Sequence, residues 1–290
     1  MRSRLLQLMA ALRGPSQPAS PPASQTAPAT APAPPPIDAT ALHDELGLRD
    51  AAMSGWLRGD SGELLAGFPV HATDVVIDIG CGEGHFAGFC GAQGAHIILA
   101  DIDPAALAQA ENRVRATSAR AVEALLCDGV PLPLANHVAS RVVLTEVLEH
   151  VNDPQRFIAE AVRVAQPGAL FLISVPDPVH EHIQKQGIAA PAHFARPNHI
   201  RIFEREEFRA LVCDAGLVIE TETASGFYWA MWWIFFWACK QDLAPPWHPL
   251  LSSWTRTWHE LLNTEQGPHI KQVLDGFMPK SQVIIARKPL

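Results

Sequence analysis

The residues with the clearest chemistry in this chain of 290 form the run Asp78-Ile79-Gly80-Cys81-Gly82-Glu83-Gly84. It follows Val75-Val76-Ile77, which reads as a buried strand, and leads into a segment, Gly84 to Cys90, that reads as a helix. Glycines at such a junction let the backbone come close to a ligand at the helix N-terminus. Dinucleotides and S-adenosylmethionine are both held this way, and Gly82-x-Gly84-x-x-Ala87 can be laid over the dinucleotide fingerprint. Charge separates the two. Asp78 and Glu83 would repel a pyrophosphate, with only His85 to compensate, whereas they attract a ligand that carries an ammonium and a sulfonium.

A second group is Glu146, Glu149 and His150, at i, i+3 and i+4, which on a helical turn share one face. An imidazole beside two carboxylates suits a divalent metal that polarises a hydroxyl. The same His150 also suits direct general-base work, and the group also fits a purely shaping role. His180, His182 and His193 read as loop or surface residues. The third feature is aromatic: Phe227-Tyr-Trp-Ala-Met-Trp-Trp-Ile-Phe-Phe-Trp-Ala-Cys239. These thirteen residues fall short of the roughly twenty a membrane span requires. Trp229, Trp232, Trp233, Phe236 and Trp237 still make a broad helical stripe, so the expectation is a helix with rings left over for a ligand, a dimer interface or a lipid boundary.

The elements that would hold these groups alternate between β-rich and helical runs. His96 to Ala100, Val122 to Leu126, Arg141 to Leu144 and Ala169 to Val175 read as strands. Asp103-Pro104 and Asp153-Pro154 each supply an N-cap and a first-turn proline, the first for a helix to about Ala116. The second opens a helix with Phe157, Ile158, Ala161, Val162 and Ala165 on one face, before a turn at Pro167-Gly168. A helix, Glu204 to Asp214, and strands Leu217 to Thr223 and Gln282 to Ala286 complete the pattern. Strand–helix–strand at this spacing predicts an α/β, doubly wound sheet with parallel pairing, whose ligands lie beyond the carboxyl ends of the strands.

Composition narrows the function. A net charge of −8 and the lack of a basic face argue against nucleic-acid binding. Five cysteines with no C-x-x-C pair exclude a disulfide framework or a cysteine zinc site and suit a reduced, cytoplasmic setting. Arg2, Arg4 and Arg13 are the only charges before Asp38 and flank a short apolar face, Leu5 to Leu12, followed by a Pro/Ala-rich tether, Pro15 to Pro36. This segment is expected to be a weak peripheral-membrane or partner-docking helix, a targeting signal or a functionless terminus. The expected organisation is therefore residues 1–37 as helix and linker, 38–223 as ligand-binding core, 224–281 as an aromatic insertion over the substrate side, and 282–290 as the final core strand. That insertion holds seven of the eight tryptophans.

Taken together, Val75 to His85, Ala100-Asp-Ile-Asp-Pro-Ala-Ala-Leu107, Cys127-Asp-Gly129, Thr145-Glu-Val-Leu-Glu-His150 and Arg163-Val-Ala-Gln-Pro-Gly168 resemble, in order, the motifs of the class I S-adenosylmethionine-dependent methyltransferases. The resemblance spans about Val70 to Val175 and implies a Rossmann-like, mostly parallel sheet with an antiparallel last strand and helices on both faces. It implies that Asp78 holds the cofactor's amino group, with Gly80, Gly82 and Gly84 allowing close backbone approach. Asp101, with Ile102 beside it, would accept the ribose hydroxyls, and Asp128 and Gly129 would meet the adenine. Thr145 and Glu146 would face the same crevice. Glu-x-x-Glu-His resembles the segment in ubiquinone-pathway O-methyltransferases and in small-RNA 3′-end methyltransferases, where it contributes to a divalent-metal site. On that pattern Glu146, Glu149 and His150 would be completed by His199. The expected function is O-methylation of a small or lipidic acceptor. The alternatives are RNA 3′-terminal ribose methylation and a catalytically silent cofactor-binding scaffold.

Overall fold

In the computed structural model, which describes residues 39–240 and 246–290, the first element is a helix, α1 (Ala39–Met53). A small antiparallel sheet follows, of β1 (Trp56–Arg58), β2 (Glu63–Leu65) and β3 (Phe68–Pro69). The sequence reading places no element between Ile37 and Val75, because α1 lacks a sustained apolar stripe and these strands are only two or three residues long. The expected helix at Arg2 to Arg13 and the tether lie outside the described residues.

The main chain of elements then runs β4 (Val75–Ile79), α2 (His85–Ala92), β5 (His96–Asp101), α3 (Pro104–Arg115), β6 (Ala121–Leu126), β7 (Ala139–Thr145), α4 (Pro154–Val164) and β8 (Ala165–Pro176). After these come α5 (Pro178–Lys185), α6 (Arg205–Asp214), β9 (Val218–Ser225), three helices α7 (Phe227–Ala238), α8 (Pro249–Leu262) and α9 (Gly267–Phe277), and β10 (Ser281–Arg287). The seven-stranded sheet has the order β6-β5-β4-β7-β8-β10-β9. β6, β5, β4, β7 and β8 pair in parallel, while β10 runs antiparallel to both β8 and β9. This is the Rossmann-like arrangement the sequence predicts.

Period-2 alternation divides the buried strand residues between two cores. Ile77, Ile98, Val142, Phe171 and Ile284 go to the face covered by α4 and α6. Val76, Ile97, Leu99, Val143, Leu172 and Ile285 go to the face covered by α2, α3 and the small sheet. Asp103 and Asp153 cap α3 and α4 as expected, accepting N–H bonds from Ala105 and from Arg156 at 2.8 and 2.9 Å. One boundary moves. α4 gives way at Ala165 directly to β8, which pairs with β7 across a register shift at the segment holding Pro167 and Gly168, so the expected turn lies inside the strand. An interrupted ladder is where a strand tolerates a residue without an N–H.

A third cluster joins Leu46 of α1 to Tyr228, Trp232 and Phe236 of α7 and to Leu251, Trp258 and Leu262 of α8. Several of its polar groups are paired inside it, although the Trp232 indole nitrogen is buried without a hydrogen-bond partner. The Tyr228 hydroxyl lies 2.9 Å from His43 Nδ1 and 3.0 Å from Thr255 Oγ1, and Trp258 Nε1 donates to Asp50 at 2.9 Å. Lys271 of α9, 2% exposed, reaches Asp275 at 2.5 Å and Asp50 at 3.4 Å. Asp275 in turn accepts the N–H groups of Gly226 and Phe227, holding the start of α7. No aromatic ring of α7 is fully exposed to solvent, and Trp229, Trp233 and Trp237 are half-buried. The presence of α1 explains this, since it covers part of α7. Among the described residues, no helix is long and apolar enough to cross a membrane.

Candidate active site at the carboxyl ends of the strands

The β4–α2 turn requires its glycines. Gly80, Gly82 and Gly84 have φ of 73°, 50° and 74°, in the left-handed region. A Cβ on Gly80 would lie 2.3 Å from the Val147 side chain, and one on Gly84 2.8 Å from the Ala110 backbone. Around Gly82 that space is open. Asp78, 2% exposed, sits in β4 just before this turn. Burial and then the nearby Asp101 carboxylate push its carboxyl up to about 7, against the opposing effect of the Ala87 N–H. A buried acid held this close to neutrality is a ready partner for a cation.

A cavity of about 480 Å³ opens beside this turn, lined by Gly80, Asp101, Ile102, Asp128, Gly129, Glu146 and His150 among others. The structure thus brings together seven of the residues singled out from sequence. Asp101 is already engaged there. Its two oxygens accept the N–H groups of Gly82 at 2.8 Å and Asp103 at 2.9 Å, so it clamps the glycine turn while keeping a lone pair on each oxygen. Ile102 is 72% exposed and Asp128 is also exposed, which suits walls that a ligand covers. At Gly129, with φ of 82°, a Cβ would strike the Phe157 ring at 2.6 Å.

Glu146 stands between this cavity and a second one of about 270 Å³, whose lining includes Thr145, Ser174, Trp229, Trp233 and Lys280. Its backbone is left-handed (φ 55°), a strained state for a side-chain-bearing residue and a frequent mark of functional sites. Its carboxylate accepts hydrogen bonds from Ser174 Oγ, at 2.9 Å, and from Lys280 Nζ. Glu146 to His150 is therefore a bend and turn, and the helical face expected for Glu146, Glu149 and His150 does not exist. Nor does the four-residue metal set form. Glu149, His150 and His199 have ligand atoms within 4.8 Å of one another, but Glu146 is taken by Ser174 and Lys280. Glu149 is 1% exposed with neither oxygen hydrogen-bonded, and burial, then the Glu146 charge, raise it well above the usual carboxylate range.

His150 Nδ1 lies 3.3 Å from the Pro197 carbonyl oxygen. A carbonyl only accepts, so this contact favours the tautomer protonated at Nδ1, with Nε2 lying 3.7 Å from Glu149 Oε1. Burial, then the proximity of His199, lower the His150 pKa and favour the neutral ring.

The third and largest cavity, about 550 Å³, was not legible as a site. Its lining joins Trp233, Phe236 and Trp237 of α7 to His180, Glu181, His193, His199 and Lys280, with the Trp237 and His193 rings 5.1 Å apart. Lys280 and Trp233 also line the 270 Å³ cavity, so the three spaces adjoin in series. His180 is 2% exposed and the His193 side chain 16%, which corrects their reading as surface residues; His182 is at the surface, 2.7 Å from Glu204. Burial pushes both down to about 4, helped for His180 by Lys280 and for His193 by His199. The missed signal was Asp177-Pro178, a third cap-and-proline pair. Asp177 Oδ1 accepts the Val179 N–H at 3.0 Å, opening α5, and the helix turns His180, Glu181 and Gln184 inward. Trp237 Nε1 donates to Gln184 at 2.6 Å, fastening the aromatic wall to α5.

Comparison with known proteins agrees with this geometry. A family model described as a methyltransferase domain matches residues 47–222, more than half of the 290. A Mycobacterium tuberculosis protein described as a probable S-adenosylmethionine-dependent methyltransferase is 30% identical over 143 residues, 49% of this chain and 48% of its own length. A similarly described Mycolicibacterium smegmatis protein is 32% identical over 145 residues, 50% of this chain and 52% of its own length. The chain thus spans about half the length of the curated relatives it matches. Among solved structures, a geranyl diphosphate methyltransferase in complex with S-adenosylmethionine superposes with a TM-score of 0.58 at 17% identity, covering 89% of this chain and 93% of that one. A geranyl diphosphate C-methyltransferase from Streptomyces coelicolor gives 0.56 at 15% identity, covering 89% and 86%. At those identities the likeness is one of fold. Glycine turn, buried acid, strand-end carboxylates, sheet order and family match coincide, and the chain belongs to the class I S-adenosylmethionine-dependent methyltransferases.

Proposed function

We propose that this protein transfers a methyl group from S-adenosylmethionine to a hydroxyl of a small, largely apolar or lipidic acceptor. The observation that carries the acceptor class is the 550 Å³ cavity, whose lining combines three aromatic side chains with three imidazoles. An apolar body packs on the first and an oxygen-bearing head meets the second. The insertion 224–281 supplies that aromatic wall and so acts as the acceptor-side cap. Asp78 would hold the cofactor ammonium, Asp101 the ribose hydroxyls, and Asp128 with Gly129 the adenine edge, with Ile102 against its face. Thr145 and Glu146 would border the methionine end.

The sulfonium is already an activated leaving group, so the protein's task is positioning, exclusion of water and proton removal. The acceptor oxygen attacks the methyl carbon in line with the carbon–sulfur bond, that bond breaks onto sulfur, and the hydroxyl proton passes to the neutral His150 imidazole. A base needs its free form at working pH, which the lowered His150 pKa provides. No step is routed through a metal, since the expected Glu146, Glu149, His150 and His199 set is not assembled.

The test is transfer of labelled methyl from S-adenosylmethionine to cell extracts split into lipid, small-molecule and nucleic-acid fractions. Label is expected in an organic-soluble product, with the linkage of a methylated oxygen. Label confined to RNA, or cofactor binding with no transfer to any fraction, would overturn the proposal.

A further inference from the structure

Glu181 has an unusual surrounding for a carboxylate that is 2% exposed. Three imidazoles face it: His199 Nδ1 lies 2.9 Å from Oε2, and His193 Nε2 and His180 Nδ1 each lie 4.0 Å from Oε1. The His193 and His199 rings are 4.2 Å apart, and the ligand atoms of Glu181, His193 and His199 all fall within 4.8 Å of one another. Tetrahedral zinc holds nitrogen and oxygen donors at about 2.0–2.1 Å, which places any two donors about 3.4 Å apart. The separations, 2.9 Å to Oε2 and 4.0 Å to Oε1, straddle that value, so turning the carboxylate and the two rings toward a common point would bring the donors to it. A second observation points the same way. His193 Nε2 is buried with no hydrogen-bond partner, an expensive state for a ring nitrogen at a site that nothing else completes.

We propose that Glu181, His193 and His199 bind a divalent transition-metal ion of the zinc type, leaving one coordination position open to the 550 Å³ cavity. Two imidazoles and one carboxylate are the donor set of zinc sites that keep an open position, and imidazole selects against magnesium and calcium. All three residues line that cavity, whereas Glu149 lines none of the three, so an ion held by Glu181 is within reach of an incoming ligand. The matching ligand is an oxygen anion or hydroxyl on the acceptor. His199 also packs edge-on to His150, ring centroids 5.0 Å apart, which puts the ion one imidazole away from the proposed base. Describing the ligand as the acceptor rests on the methyl-transfer proposal; the ion site itself does not.

The full-length protein, stripped with chelator and returned to metal-free buffer, should take up one Zn²⁺ per chain in calorimetry and elemental analysis. Co²⁺ in its place should give the visible absorption of a four-coordinate nitrogen–oxygen site. His193→Ala and Glu181→Gln should each weaken Zn²⁺ binding on the order of a hundredfold, while His150→Ala and Glu146→Gln should keep it within threefold. Circular dichroism and a thermal melt, measured on every variant, show that each is folded, and binding of S-adenosylhomocysteine by the wild-type protein tests the methyltransferase assignment separately. Absence of stoichiometric uptake by the wild-type protein would overturn the proposal. So would Zn²⁺ binding lost in His150→Ala but kept in His193→Ala, which would move the ion to Glu149.

Discussion

Along β4, β5, β7 and β8 successive side chains leave opposite faces of the sheet, and each face has its own covering helices. In α7 nearly every side chain is apolar, with no polar face to turn to water, and burial comes from surrounding it with α1, α8 and the cavity. The first region is thus organised by local alternation, the second by contacts between segments more than 200 positions apart, such as Lys271 with Ser54, 217 positions away. Glycine-turn chemistry belongs to the first region and the proposed acceptor wall to the second, so the two should fail differently.

The largest expected effect is on stability of the helical layer. Trp258→Ala removes a ring that is 1% exposed and the partner of Asp50, and should cost about 3–5 kcal/mol in urea unfolding. Lys271→Ala leaves Asp50 and Asp275 buried beside each other and should cost about as much. A loss below ~1 kcal/mol for both would mean that the layer is not integral to the fold.

Cofactor binding should respond to the other region. Asp101→Ala removes the clamp on Gly82 and the acceptor for the ribose, and should weaken S-adenosylhomocysteine binding by about ten- to a hundredfold in calorimetry. Trp233→Ala with Trp237→Ala should leave that affinity within about twofold while lowering acceptor turnover at least tenfold. Trp232 is the wrong residue for this purpose, since it is 3% exposed and packed in the layer's core. Unchanged turnover in the Trp233/Trp237 variant would separate the aromatic wall from the acceptor.

A smaller effect concerns pH. Asp78, raised to about 7 when the site is empty, is mostly protonated at pH 6, and the cofactor's ammonium favours its ionised form. Affinity for S-adenosylmethionine should rise between pH 6 and 8 by less than about tenfold per unit, with release of a proton on binding at pH 6. The same acid has its folded pKa above its unfolded one, so the unliganded protein should lose some stability as pH rises from about 4 to 7. Calorimetry in buffers of different ionisation enthalpy reads the proton directly.

What the sequence by itself determined is the part governed by short-range rules. Apolar runs of five to seven residues, two Asp-Pro caps and three glycines in a strand–helix turn specify β4, β5, β7, α3, α4 and the cofactor turn, because alternation, capping and positive φ act within a few residues. The carboxylates at strand ends followed from the same reading, since a strand end fixes where its last side chain points. The tertiary structure alone decided the rest. It turned Glu146 into a left-handed bend bonded to Lys280, 134 positions away, so that it shares a cavity with His150 but no helical face with Glu149 and His150. It brought Glu181 from α5 against His193 and His199 from the following loop, and set α1 beside the aromatic helix. No local periodicity encodes such meetings, because they depend on which distant segment arrives to bury a charge or a ring.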